Sequence, residues 1–207
     1  MLFAEENALL PLLDALPLNS STVADFGCGT GRHFRDLLDR GARNVVGVDY
    51  SLPMLLHARD KSLNTNVTLF QSGLEHLPFC NESFHFGLSA LVLGHLGDID
   101  ASIKEFHRVL KPGGRLILTD LHESFEERGW KRTFTEGGKK FAVRNYPHSM
   151  GEYQNAFRSH NFVVEKASQP TIDDTLRPLF ERTGHIETFE RFRDRPLLIV
   201  FQVRKKG

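Results

Sequence analysis

Short apolar runs alternate with amphipathic segments over the first 121 residues. Thr22–Phe26, Asn44–Val48, Val67–Phe70, Phe84–Ser89 and Arg115–Leu121 are brief runs rich in apolar, mostly β-branched or aromatic residues, and they predict buried strands. Between them the spacing predicts helices. His33–Arg40 forms one; Ser51 caps a second that runs to about Arg59; Asp98 caps a third with Ile103, Phe106, Val109 and Leu110 on one face. Lys111-Pro-Gly-Gly114 predicts the turn that stops this helix, because proline presets φ and glycine takes a positive one. Ahead of the first strand, Phe3–Leu16 reads as helical turns either side of Pro11, with Glu5 and Glu6 where a helix dipole favours acids. Strand and helix in strict alternation imply an α/β fold with a parallel, doubly wound sheet.

After Leu121 the rhythm changes. Trp130–Thr135 and Lys140–Tyr146 flank Glu136-Gly-Gly138, which predicts a small β-hairpin inserted after the fifth strand. Ser149 and Glu152 form a capping box for a helix to about His160. Phe162–Lys166 and Leu197–Val203 are two last strands, joined by a polar-rich stretch with helical character.

Composition narrows the partners. The 207 residues carry 26 basic and 26 acidic side chains, so the net charge is zero and no field draws in nucleic acid or an anionic membrane. The Lys205-Lys206 end reads as a solvated tail. Two cysteines, Cys28 and Cys80, build neither a disulfide framework nor a zinc site, and the ten histidines show no metal spacing. No run approaches the ~20 apolar residues of a membrane span, and no leader is visible. The expectation is a single cytoplasmic domain over 1–207, with an N-terminal helical segment over 1–20 and an insertion over 122–148. A monomer or a homodimer suits it equally.

The candidate chemistry starts at Asp25-Phe-Gly27-Cys28-Gly29-Thr-Gly31-Arg32, between the first strand and the first helix. Glycines there let the chain turn sharply and let a ligand approach the backbone, and the helix start favours an anionic group. Arg32 stands where a dinucleotide G-x-G-x-x-G turn needs its last glycine. Asp49 lies 18 residues after Gly31, at the end of the second strand, where a carboxylate can hold ribose hydroxyls. The D-x-G-x-G-x-G pattern resembles motif I of class I S-adenosylmethionine (SAM) methyltransferases. Val48-Asp49-Tyr50-Ser51-Leu-Pro-Met54-Leu55, Leu74-Glu75-His76-Leu77-Pro78-Phe79, Leu91-Val-Leu-Gly-His95-Leu and Glu105-Phe-His-Arg108-Val-Leu-Lys-Pro-Gly-Gly114 resemble further segments of that family in the same order. Together they span Thr22 to about Asp120, about half the chain.

The resemblance implies a Rossmann-like, mostly parallel seven-stranded sheet closed by an antiparallel C-terminal hairpin. It implies SAM as methyl donor, S-adenosylhomocysteine as product and a small-molecule acceptor. Asp25 would lie near the methionine ammonium. Backbone N–H groups around Gly27, Cys28, Gly29 and Gly31 would face the carboxylate, and Asp49 would hold the ribose. Tyr50 and Met54 would flank the adenine, Leu74 and Glu75 would close around its edge, and Ser89 and Ala90 would pass the sulfonium. Each has a packing alternative; for Met54 that is a place in the core.

Three departures stand out. Gly73 occupies the place where the family often has an adenine-binding aspartate. The fourth strand begins Phe84-His85 rather than the family's frequent Phe-Asp. The first strand follows only about twenty residues of chain, which implies a more open site or a missing cover.

Methyl transfer asks mainly for alignment and exclusion of water, and for a base only where the nucleophile holds a proton. His95 is the candidate base, because an unperturbed histidine titrates near neutrality; a plain loop histidine is the alternative. Asp120, His122 and Glu123 follow the fifth strand, and Trp130, Tyr146 and His148 belong to the insertion; all are candidate acceptor contacts. Trp130 and Tyr146 would equally well pair across the hairpin. Arg177-Pro178 is a further, weaker site. The competing readings are a SAM-binding protein without methyl transfer, a macromolecule methyltransferase, and an NAD-dependent oxidoreductase.

Overall fold

The computed structural model describes residues 2–124 and 133–207. The elements, in chain order, are α1 (Leu2–Asp14), β1 (Thr22–Phe26), α2 (Phe34–Asp39), β2 (Asn44–Asp49), α3 (Leu52–Ser62), β3 (Val67–Gln71), β4 (Phe84–Ala90), α4 (Asp100–Val109) and β5 (Leu110–Leu121). They continue with β6 (Thr133–Glu136), β7 (Lys139–Ala142), α5 (Met150–Ser159), β8 (Phe162–Ser168), α6 (Arg177–Arg182), α7 (Ile186–Phe192) and β9 (Leu198–Lys205). A single 3₁₀ turn, Leu93–His95, follows β4.

Seven strands form one sheet in the order β3-β2-β1-β4-β5-β9-β8. The first five are parallel; β9 runs antiparallel to β5, and β8 antiparallel to β9. This is a Rossmann-like α/β sheet with an antiparallel C-terminal pair. Successive residues of each strand feed opposite faces. Val23, Val45, Leu88 and Ile117 face Leu9, Leu13, Leu37 and Leu55 of α1–α3. Ala24, Phe26, Leu116 and Leu118 face Phe106 and Val109 of α4 and Tyr153 and Phe157 of α5. The rings of Phe26 and Phe106 stack at 4.4 Å. Glu165 of β8 ties the antiparallel end together, accepting hydrogen bonds from Arg115, Gln202 and Arg204.

Several sequence expectations are corrected. α1 runs unbroken through Pro11, whose ring lies on the exposed side, where the carbonyl that loses its N–H partner belongs to the exposed Asn7. Asp98 accepts a hydrogen bond from Asp100 N–H at 2.8 Å but sits one residue ahead of the N-cap, Ile99. Leu110 opens β5 instead of closing α4. The Lys111–Gly114 segment is not a separate turn. It bulges within β5, where the ladder jumps from Phe84↔Leu110 to Phe86↔Arg115. Gly113 supplies the positive φ, and Gly114 is packed so closely that a Cβ would meet Lys111 O at 2.8 Å.

The polar stretch after β8 forms α6 and α7. The inserted pair β6–β7 is antiparallel, from Thr133↔Ala142 to Glu136↔Lys139, and ends four residues before Tyr146. Trp130 lies outside the described residues. No helix among the described residues is long and apolar enough to cross a membrane.

Candidate active site

β1 has β2 on one side and β4 on the other, so the connections diverge there and open a crevice beyond the strand ends. Asp25 lies near the end of β1, level with Gly47 and Leu88, and is 1% exposed. Its Oδ2 has no hydrogen-bond partner among the described residues. Burial pushes its carboxyl up to about 7, opposed by Arg32 and reinforced by Asp49 and Glu5. A buried carboxylate with an orphaned oxygen is costly and fits a cationic guest.

Gly27, Gly29 and Gly31 all take positive φ (+75°, +54° and +71°). Gly27 would also clash with Val92 at 2.4 Å if it carried a Cβ. The turn's N–H groups are engaged inside the protein, which corrects the expectation that they face a ligand. Gly27 and Cys28 donate to Val48 O at 2.7 and 2.9 Å, and Gly31 donates to Cys28 O at 2.9 Å. Gly29 donates to Asp49 Oδ2 at 2.8 Å. The turn closes back onto β2, so its glycines grant close backbone approach instead of free donors. The Cys28 thiol is buried beneath it, and that burial holds it well above the usual thiol range, in its neutral form.

Asp49 Oδ1 accepts from Ser51 N–H at 2.8 Å. These two backbone bonds fix the carboxylate's orientation and leave a second lone pair on each oxygen. Ser51 also caps α3. Tyr50 is 80% exposed and Met54 46%, so Met54 is not a core residue. Leu74 is buried in the core, while Glu75 beside it is half-buried. Ser89 is fully buried with its Oγ unpartnered among the described residues, and Ala90 is half-buried at the end of β4.

Two features went unread in the sequence. The first is Glu5, which is fully buried although it occupies a position where a solvated first-turn acid is common. It pairs with Arg32 Nη1 at 2.7 Å and accepts from Thr119 Oγ1 at 3.0 Å, bridging α1 to the glycine turn and to β5. His33 Nε2 stands 3.7 Å from Glu5, and burial lowers its pKa. The second is the Glu105–Arg108 pair on α4. Glu105 accepts from Leu77 N–H at 2.8 Å, and Arg108 donates to Leu77 O, Phe79 O and Asn81 Oδ1. Their mutual bonds are 2.7 Å, and the Arg108 contact holds the Glu105 carboxyl below the usual range. The pair staples the segment that carries Leu74 and Glu75.

The expected acceptor-side residues gather around the 3₁₀ turn. His95 is exposed, with Nδ1 3.4 Å from Arg144 O. Tyr146 N–H donates to Gly94 O at 2.7 Å, and a Cβ added to Gly97 would lie 3.3 Å from its ring. His148 is buried, its Nε2 2.7 Å from Leu96 O. Asp120 is buried, accepting from Tyr153 Oη at 2.5 Å and Leu121 N–H at 2.8 Å. Asn145 joins them unforeseen: its buried Oδ1 has no partner among the described residues and, like Asp120 Oδ1, lies within 3.0 Å of a Cβ added to Gly94. His122 turns aside to Ser124 Oγ at 2.8 Å and Glu123 at 3.5 Å. Arg177 is a surface residue paired with Glu181 and Glu190.

A glycine turn and two acids thus meet at the switch point of an α/β sheet, the place where doubly wound proteins take their ligands. Residues 24–118 match the methyltransferase domain model. The chain is 32% identical over 169 residues to the uncharacterized methyltransferase YodH of Bacillus subtilis, covering 79% of this chain and 69% of that one. It is 37% identical to a malonyl-[acyl-carrier protein] O-methyltransferase of Salmonella typhimurium over 56% of this chain and 44% of the relative. It thus spans less than half the length of that relative. The chain belongs to the class I SAM-dependent methyltransferase family. SAM is the cofactor of that family. A solved SAM-dependent methyltransferase from Mesorhizobium loti shares the fold at a TM-score of 0.75 and 23% identity, covering 97% of this chain and 98% of that one.

Proposed function

We propose that this chain moves a methyl group from SAM to a small-molecule acceptor. The observation that carries the reading is the pairing of a buried, orphaned Asp25 oxygen with an Asp49 carboxylate aimed by two backbone N–H groups. Asp25 Oδ2 would accept from the ammonium of SAM, and the free lone pairs of Asp49 from its ribose hydroxyls. Tyr50 and Met54, both exposed, would cover the adenine faces; Glu75 would border its edge, with Leu74 contributing backbone. Ser89 and Ala90 would line the path to the sulfonium. When bound, SAM supplies a methyl already activated on sulfur. The protein's work is then to align the acceptor and keep water out. A relative's name supports a small acceptor by analogy: one, 28% identical, is a ubiquinone/menaquinone biosynthesis C-methyltransferase of Haemophilus ducreyi.

Residues 122–148 would form the acceptor side, with His95, Asp120, Tyr146, His148 and Asn145 around the 3₁₀ turn; Trp130 and His122 are proposed there on sequence alone. Asp120 and His148 are held by Tyr153 and Leu96, so they shape the wall. His95 is exposed and would accept a proton from the acceptor. His95→Ala is expected to slow transfer to a protonated nucleophile by about 100-fold while SAM affinity stays unchanged; unchanged turnover removes the role.

The Glu105–Arg108 staple yields a second prediction. Arg108→Met is expected to raise KM for SAM about tenfold, with kcat at saturating SAM within about twofold, since it loosens a binding segment and not the reacting groups. A loss of kcat alone contradicts this. The overall reading is tested by incubating the protein with tritiated-methyl SAM and a cell extract. Label is expected in the low-molecular-mass fraction; label only in protein or nucleic acid overturns the small acceptor.

A further inference from the structure

The end of the sheet opposite the proposed SAM crevice carries a second constellation. The Lys111–Gly114 bulge of β5 drops out of the ladder with β4 and borders a cavity of about 300 Å³. Asn19, Ser20, Ser21, His85 and Lys111 supply its polar lining beside Arg115, whose guanidinium is paired with Glu165, and no carboxylate lines it among the described residues. His85 sits four residues before Ser89 on β4, so about 13 Å of strand separates the two sites.

Donor and acceptor counting exposes a deficit there. Thr22 N–H donates to His85 Nδ1 at 3.1 Å. That uses the single lone pair of a neutral imidazole and leaves Nε2 as its N–H donor. Lys111 Nζ lies 2.9 Å from this Nε2, and an ammonium has donors only. Two donors therefore face each other across hydrogen-bond distance beside an open cavity, and the described residues offer them one acceptor too few. Reversing the ring's tautomer satisfies Lys111 and strands Thr22 N–H instead. The family's frequent aspartate at this place would serve both donors; histidine serves one.

We propose that this cavity binds a phosphate-type oxyanion, which accepts from Lys111 Nζ and His85 Nε2–H together and supplies the missing acceptor. Tetrahedral oxyanions take several donors at once, and a charged acceptor strengthens each bond. The cavity is larger than the anion, so the source is either inorganic phosphate or the phosphate of a small ester. No step at the SAM crevice depends on this site, and its failure leaves the methyltransferase reading untouched.

The test is thermal melting of the full chain in chloride, inorganic phosphate and glycerol phosphate at matched ionic strength. Wild-type protein is expected to gain about 2–4 °C at roughly four times the dissociation constant of the anion. His85→Asp supplies the acceptor internally, so it should fold normally in chloride and show no such gain. Lys111→Met should also lose it. A larger gain with glycerol phosphate assigns the site to an ester, and a larger gain with inorganic phosphate assigns it to the free ion. Phosphate also stabilises proteins in general through exclusion; a gain of equal size in wild type and both variants, or none in wild type, overturns the proposal.

Discussion

Asp25→Asn is expected to stabilise the ligand-free protein and to weaken S-adenosylhomocysteine binding by roughly 10–100-fold, the range of one charge-assisted hydrogen bond. The two effects share one cause. Burial raises the Asp25 carboxyl from 3.8 to about 7 in the folded chain. Between those values the folded state binds more protons than the unfolded state, so stability falls as pH rises through the window. The loss is absent well below pH 4, complete above pH 7, and about 4 kcal/mol at its limit. Asparagine carries no ionisation, so its advantage grows by about 2–3 kcal/mol between pH 5 and pH 8, or very roughly 4–12 °C in Tm. Melting curves of both proteins across that range check the sign. Wild-type affinity should in turn fall roughly tenfold per pH unit below pH 7, because the ligand's ammonium needs the ionised carboxylate. A variant that melts lower than wild type at pH 8 contradicts the account.

Asp49→Ala is expected to weaken S-adenosylhomocysteine binding at least about 100-fold. Two ribose hydroxyls donating to a charged acceptor contribute about 1.5–3 kcal/mol each, and every 1.4 kcal/mol is tenfold. The Gly29 and Ser51 N–H groups lose their partner in the variant, but both lie at the crevice mouth where water replaces it. The folded state should therefore lose only about 1 kcal/mol. Calorimetric titration separates the outcomes: near-normal affinity in a folded Asp49→Ala protein removes the ribose role.

The parallel strands and the crevice were legible because local patterns suffice for them. Thr22–Phe26 reads as a strand from its own residues, and three glycines after it read as a turn in any fold. Asp49 was legible from its place at a strand end. What stayed hidden depends on contacts distant in sequence. Glu5 looks like a helix-start acid until Arg32 and Thr119, 27 and 114 residues away, close on it. Arg108 looks like a helix-end cation until its guanidinium meets carbonyls on the Leu77–Asn81 segment. Lys111–Gly114 has every mark of a free turn, yet the ladder with β4 resumes beyond it and converts it into a bulge. The N–H groups of Gly27, Cys28 and Gly29 were misjudged for the same reason, since their acceptors, Val48 O and Asp49 Oδ2, belong to the next strand. The exposure of Met54 was equally unreadable, because α3 carries apolar residues on both sides: Leu55 and Ala58 are buried while Leu52, Met54 and Leu56 are exposed.

The central claim is that the crevice between β1 and β4 holds a sulfonium nucleoside. Thermal melting of the wild-type protein with S-adenosylhomocysteine and, separately, with NAD tests it most directly. The account predicts a rise with S-adenosylhomocysteine and none with NAD; a rise with NAD and none with either SAM or S-adenosylhomocysteine contradicts it.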